Sequence, residues 1–256
     1  MSDHGRFVWY ELMTTDLVAA QDFYAVVAGW AIADSGMPGI DYRLASVDAA
    51  RIAGMMTLPE EVRAQGARPG WMGYISVPDV DAAARQVGEA GGAIHRAPAD
   101  IPGIGRFAVA ADPQGAVLVL FRGEGAPPGM PALGTPGHMG WHELHARDWE
   151  AAFAFYAGLF GWTKSTAVDM GPMGTYQLFA SDGRDVGGMM TNPKVPALFW
   201  LYYINVTDID AAGQRATGAG GQIINDPHQV PGGSWIVHVI DPQGAMVALV
   251  GPRSAG

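Results

Sequence analysis

The 256-residue chain contains no cysteine, which removes disulfides, thiolate nucleophiles, zinc knuckles and iron–sulfur clusters together. Any metal site would have to use His, Asp or Glu. Positive charge is scarce: 15 Lys and Arg stand against 25 Asp and Glu, a net charge of −10. The cations are scattered singly, whereas phosphate backbones are held by clustered Lys and Arg, so no nucleic-acid partner is expected. Apolar runs such as Ala116 to Phe121 and Ala245 to Val250 fall far short of the ~20 residues that span a bilayer. The opening Met1-Ser2-Asp3-His4-Gly5-Arg6 lacks the basic-then-apolar pattern of a signal peptide, and the expectation is a cytoplasmic protein with no membrane partner. No glycine-rich phosphate loop and no serine elbow appears, which argues against dinucleotide cofactors and acyl-enzyme chemistry.

What is present is core material: 49% of residues are hydrophobic and only 16% charged, which excludes a disordered chain. The 36 glycines and 18 prolines punctuate short apolar segments, as expected of many short elements joined by tight turns.

The chain also repeats itself. Trp9-Tyr10-Glu11-Leu12 returns as Trp141-His142-Glu143-Leu144, Phe23-Tyr24 as Phe155-Tyr156, and Gly29-Trp30 as Gly161-Trp162. Gly54-Met55-Met56 returns as Gly188-Met189-Met190, Trp71 as Trp200, and Asp112-Pro113-Gln114-Gly115-Ala116 as Asp241-Pro242-Gln243-Gly244-Ala245. The ordered matches define two duplicated domains, 7–122 and 139–251, joined by a Pro/Gly-rich linker over 123–138. A fainter repeat divides each half again, Asp16 being echoed by Asp79 and Asp148 by Asp208.

Each of the four modules starts with a short apolar strand: Phe7 to Met13, Met72 to Val77, Met139 to His145 and Leu201 to Val206. The Asp that follows suits the N-cap of a helix, whose apolar residues then recur at helical spacing, as in Ala20, Phe23, Tyr24 and Val27. Gly91-Gly92 and Gly220-Gly221 supply left-handed backbone at helix ends. Three strands close each module, the last starting after Asp-Pro-Gln-Gly in the second and fourth. The predicted order is βαβββ, four times over.

The pattern Asp16-Leu17-x-x-Ala20-x-x-Phe23-Tyr24, Gly29-Trp30 and Asp112-Pro113-Gln114-Gly115, repeated in the second half, resembles the vicinal oxygen chelate superfamily. That group contains glyoxalase I, bleomycin-resistance proteins, extradiol dioxygenases and fosfomycin-resistance enzymes. The resemblance covers nearly the whole chain outside the linker and termini. It implies an α+β fold of tandem glyoxalase-like domains, each of two βαβββ modules forming a curved mixed sheet around a cup. It also places metal ligands on the first and last strands of each module, at Trp9, Met72, Trp141 and Leu201 and near Met56, Val119, Met190 and Ala248. None is His, Asp, Glu or Gln, so the expectation is no metal and no other cofactor.

Strand alternation puts Trp9, Glu11 and Met13 on one face and Trp141, Glu143 and His145 on the matching face of the second half. A carboxylate beside an indole in a closed cup has a raised pKa and suits a general base or a ligand acceptor, which makes Glu143, Glu11 and His145 the catalytic candidates. The alternative is that these glutamates bond neighbouring backbone or an Arg. His142 and His145, three apart on a strand, point to opposite faces, unlike the helical zinc motif. Trp9, Tyr42, Trp71, Trp141, Tyr176, Trp200, Tyr202 and His238 are the candidate ligand contacts, against a core-packing alternative for at least half of the aromatics. Met55-Met56 and Met189-Met190 add adaptable lining or core filling.

The expected function is therefore metal-independent binding of a small apolar or aromatic metabolite, by a monomer or homodimer. The alternative is an isomerase-, lyase- or hydroxylase-like enzyme with Glu143 or Glu11 as base. In that reading a divalent metal held by Glu143, His145 and His238 remains open.

Overall fold

The computed structural model describes residues 3–125, 129, 131–193 and 198–254, so part of the 123–138 linker lies outside the described residues. The first module runs β1 (Phe7–Thr14), α1 (Leu17–Ala28), β2 (Ala31–Asp34), β3 (Tyr42–Val47) and β4 (Ala50–Thr57), followed by the short α2 (Glu60–Ala64). The second is β5 (Gly70–Ser76), α3 (Val80–Glu89), β6 (Ala93–Ile101), β7 (Gly105–Ala111) and β8 (Val117–Gly123). The third is β9 (Met139–Ala146), α4 (Trp149–Phe160), β10 (Thr163–Asp169), β11 (Thr175–Ser181) and β12 (Arg184–Thr191). The fourth comprises β13 (Phe199–Asn205), α5 (Ile209–Gly218), β14 (Gln222–Ile223), β15 (His228–Gln229), β16 (Trp235–Ile240) and β17 (Met246–Gly251).

The strands form two mixed sheets, ordered β2-β3-β4-β1-β5-β8-β7-β6 and β10-β11-β12-β9-β13-β17-β16-β14, with β15 against β16. Within each module the first and last strands run parallel, as in the β1–β4 and β9–β12 pairs, and the outer strands are antiparallel. The βαβββ order thus recurs four times, with the third position of the fourth module split into two short strands.

Local chemistry accounts for the helix boundaries. Asp16, Asp79, Asp148 and Asp208 each accept backbone amide hydrogens of the first helical turn, at 2.8–3.1 Å. Gly29 and Gly161 end α1 and α4 with φ of 72° and 69°, a left-handed conformation that a Cβ disfavours. Each of these helices buries one stripe: Leu17, Ala20, Phe23, Tyr24 and Val27 on α1, and Ala152, Phe155, Tyr156, Leu159 and Phe160 on α4. No helix among the described residues is long and apolar enough to cross a membrane.

The compact units of the molecule do not coincide with the sequence halves. One gathers Met1–Trp9, Met72–Gly129 and Trp141–Leu201; the other gathers Tyr10–Trp71, Met130–Gly140 and Tyr202–Gly256. Each therefore takes material from both halves, and the repeated motifs join it. In the first unit, Trp200 Nε1 donates to Tyr156 Oη at 3.0 Å, and Tyr156 Oη donates to Asp112 Oδ2 at 3.1 Å. Asp112 Oδ1 accepts from the amides of Gln114 and Ala116, which fixes the Asp-Pro-Gln-Gly turn. Gln114 then docks that turn on the start of α4, accepting from the amides of Arg147 and Asp148 and donating to the Asp148 carbonyl. In the second unit the chain is Trp71 to Tyr24 at 2.9 Å and Tyr24 to Asp241 at 3.1 Å. Burial, reinforced by the Asp241 charge, pushes the Tyr24 hydroxyl well above its ordinary pKa, so it remains a donor.

Candidate functional site

In the first unit, parallel pairing of β9 with β12 sets Glu143 opposite Gly188 and His145 opposite Met190, and Tyr176 on β11 faces Met190. A continuous polar chain results. Trp141 Nε1 donates to Tyr176 Oη at 2.7 Å, and Tyr176 Oη donates to Glu143 Oε2 at 2.9 Å. The other carboxylate oxygen, Oε1, lies 2.8 Å from His145 Nε2, while His145 Nδ1 is 3.1 Å from Asn192 Nδ2. Glu143 and His145 are only 7% and 6% exposed, so these contacts are nearly free of competing water. Phe199 stacks on the imidazole at 4.9 Å. Burial, and then the Glu143 charge, holds the Tyr176 hydroxyl well above its ordinary pKa, which keeps it a donor to the carboxylate.

The second unit holds a simpler version on β1, β3 and β4. Glu11 sits opposite Gly54, Tyr42 opposite Met56, and Tyr42 Oη donates to Glu11 Oε2 at 3.0 Å. Met13 and Leu58 stand where the other half has His145 and Asn192. The glycines explain the shared geometry, since a Cβ on Gly54 would strike the Tyr42 ring and one on Gly188 the Tyr176 ring. Each tyrosine crosses its strand only because that position has no side chain. Gly188→Ala is expected to push Tyr176 off Glu143 and destabilise the protein by about 1–3 kcal/mol, as overpacking does. Urea unfolding measures this, and a change under about 0.5 kcal/mol would show that the ring is not confined.

The remaining candidates have other surroundings. Trp9 is half-buried against a cluster of Tyr74, Phe107 and Val119, with Met72 beside it. Trp71 and Trp200, expected as ligand contacts, lie in the helix-facing core, because the hydroxyls of Tyr24 on α1 and Tyr156 on α4 take their indole N–H groups. Tyr202 is fully buried and packs edge-on against Tyr10 at 5.6 Å. His238 on β16 places Nε2 3.2 Å from Tyr203 Oη in the second unit. His142, on the opposite face of β9 from His145, stacks flat on Phe7 at 3.8 Å and donates through Nδ1 to the Val186 carbonyl. Its burial pushes its pKa down to about 4. Among the described residues, no group of three or more His, Cys, Asp or Glu is placed to hold a metal ion.

Asn192 escaped the sequence reading. Its signal was the one break in an otherwise exact repeat, Gly-Met-Met-Thr-Leu58-Pro against Gly-Met-Met-Thr-Asn192-Pro.

Duplicated βαβββ sheets with a buried carboxylate on the first strand define a class, and comparison with known proteins agrees. Residues 6–120 and 135–249 each match the model of the Glyoxalase/Bleomycin resistance protein/Dioxygenase superfamily. The chain belongs to that superfamily. It is similar to the "Putative glyoxylase CFP32" of Mycobacterium bovis, at 32% identity over 95% of this chain and 94% of that protein. It is similar also to the "Anthracycline biosynthesis protein DauV" of Streptomyces sp. strain C5, at 31% identity over 98% and 94%. Among solved structures, the Mn(II)-bound glyoxalase from Novosphingobium aromaticivorans shares the fold with a TM-score of 0.65 at 17% identity, covering 98% of this chain and 83% of that one. The 2,3-dioxygenase LapB from Pseudomonas sp. KL28 gives a TM-score of 0.66 at 12% identity, covering 99% and 94%.

Proposed function

We propose that the protein binds a small apolar or aromatic molecule against Trp141, with Glu143 and His145 as the polar groups that meet it. The observation carrying this is the Glu143 carboxylate, buried between the Tyr176 hydroxyl and the His145 imidazole beside Trp141, Met190 and Phe199. Ligand sites are mostly apolar, with a few fixed polar groups of this kind. Relatives named for glyoxylase function and for anthracycline biosynthesis support a small metabolite as the ligand. Binding is metal-independent in this reading. The positions where the resemblance places ligands hold Trp9, Met72, Trp141, Leu201, Met56, Val119, Met190 and Ala248, and indole, thioether and aliphatic groups do not fit a hard divalent cation. The domain limits 7–122 and 139–251, and a cytoplasmic monomer or homodimer, complete the proposal.

A second reading, proton transfer with Glu143 as base, is favoured by the 2.8 Å approach of His145 to that carboxylate. Glu143→Gln keeps an acceptor for Tyr176 and separates the two readings. A binder retains its affinity for a neutral ligand, whereas an enzyme loses roughly 10²–10⁴ in turnover. Native mass spectrometry of the purified full-length protein tests the proposal itself. The expected spectrum shows one organic adduct, or uptake of 1-naphthol, retained by Glu143→Gln and lost in Trp141→Ala. A stoichiometric divalent ion, or a bare protein that takes up no 1-naphthol, overturns it.

A further inference from the structure

Two side chains flank the His145 imidazole and constrain its proton. On one edge, Nε2 lies 2.8 Å from Glu143 Oε1. A bare nitrogen lone pair that near a carboxylate charge is unfavourable even with the oxygen off its axis, so Nε2 carries the hydrogen. On the other edge, the Asn192 side-chain amide nitrogen, which only donates, sits 3.1 Å from Nδ1. Nδ1 must then be the bare acceptor. The two contacts favour the same neutral tautomer, and the direct one is that of Asn192. The Nε2–H is not used up by Glu143, because Nε2 is buried without a hydrogen-bond partner and the carboxylate oxygen lies off the N–H direction.

The internal repeat supplies an independent comparison. Where the second half has His145 and Asn192, the first has Met13 and Leu58, while the Tyr–Glu pair is present in both. Imidazole and amide are present together or absent together, as expected if one serves the other.

We propose that Asn192 is a positioning residue that locks His145 as the Nε2–H tautomer, so that the site presents a hydrogen-bond donor to an acceptor oxygen of the ligand, such as a carbonyl, beside the Glu143 acceptor. The inference rests on the binding site proposed above and names the chemistry it selects: a molecule bearing an oxygen acceptor next to a donor group. A donor–acceptor pair recognises such a ligand and discriminates against one lacking either function, because the unmatched buried group would lose its partner.

The test needs no ligand, so it stands or falls apart from the adduct experiment. Full-length protein labelled with 15N at histidine is studied by long-range 1H–15N correlation near pH 7.5, with His145 assigned by the loss of its signals in His145→Gln. Protonated and bare imidazole nitrogens resonate far apart. The wild type is expected to show Nε2 protonated and Nδ1 bare. Asn192→Asp, whose carboxylate can only accept, is expected to place a hydrogen on Nδ1 as well, and Asn192→Leu, which leaves the Glu143 contact alone, to raise the share of the Nδ1–H tautomer. His142, whose Nδ1 donates to the Val186 carbonyl, shows the opposite tautomer and reports that each variant remains folded. A wild-type His145 that is protonated on Nδ1, doubly protonated or averaged overturns the proposal. So does a pattern that both Asn192 variants leave unchanged.

Discussion

Asp112→Ala is expected to destabilise the protein by about 3–5 kcal/mol, because it removes one acceptor group and orphans three donors. The amides of Gln114 and Ala116 lose Oδ1, and the Tyr156 hydroxyl loses Oδ2. Each loss costs about 1–3 kcal/mol where the donor is buried, and less where water can reach it. Asp112 is 3% exposed and Tyr156 0%, so no water replaces the Tyr156 contact without a rearrangement. Trp200 donates to the same hydroxyl, which places a fluorescent reporter within the network. Asp112→Asn keeps an oxygen for the two amides and should lose only about 1 kcal/mol. Urea unfolding followed by tryptophan fluorescence measures both, and equal losses for the two variants would show that the turn amides are not what the carboxylate stabilises.

The second large effect is a fall in stability in mildly acidic solution, traced to His142. Its pKa falls from 6.5 to about 4 on folding, because burial disfavours the imidazolium. Above pH 6.5 the side chain is neutral in both states and has no effect. Below that, the unfolded chain binds a proton that the folded chain refuses, and stability falls by about 1.4 kcal/mol per pH unit until the folded pKa is reached. The loss totals about 3 kcal/mol between pH 6.5 and 4, and the contribution is flat below. His142→Phe preserves a stack on Phe7 and abolishes the titration. The difference in unfolding free energy between wild type and variant should therefore change by that amount across the window. A difference independent of pH would place the charge change elsewhere.

The elements legible in the sequence were those fixed by short-range chemistry. Asp16, Asp79, Asp148 and Asp208 precede helices because their carboxylates reach amides three residues on, and Gly29 and Gly161 end helices because they tolerate a left-handed φ. Alternation on β9 likewise placed Trp141, Glu143 and His145 together. Partnerships between distant residues were not legible. Tyr24 and Asp241 are 217 residues apart, and no periodicity states that a helix tyrosine should seek a turn aspartate of the other half. For the same reason Trp71 and Trp200 read as ligand contacts: an aromatic strand residue has two faces to choose from, and the deciding tyrosines come from helices. Tyr42 and Tyr176 were legible as rings but not as donors to Glu11 and Glu143, since their reach depends on bare strand at Gly54 and Gly188.

The reciprocity of the Tyr–Asp bonds bears on how such a chain arises. A half-length chain would contain one helix tyrosine and one turn aspartate, as the first half does in Tyr24 and Asp112, yet here Tyr24 donates to Asp241 and Asp112 accepts from Tyr156, each in the other half. Two copies would satisfy each other, tyrosine to aspartate in both directions, with the symmetry of a homodimer. The present molecule holds that reciprocal pairing within one chain, between its two tandem repeats. Covalent linkage removes a constraint that symmetry imposes on a homodimer. Halves joined in one chain need not be identical, and here one carries His145 and Asn192 where the other carries Met13 and Leu58.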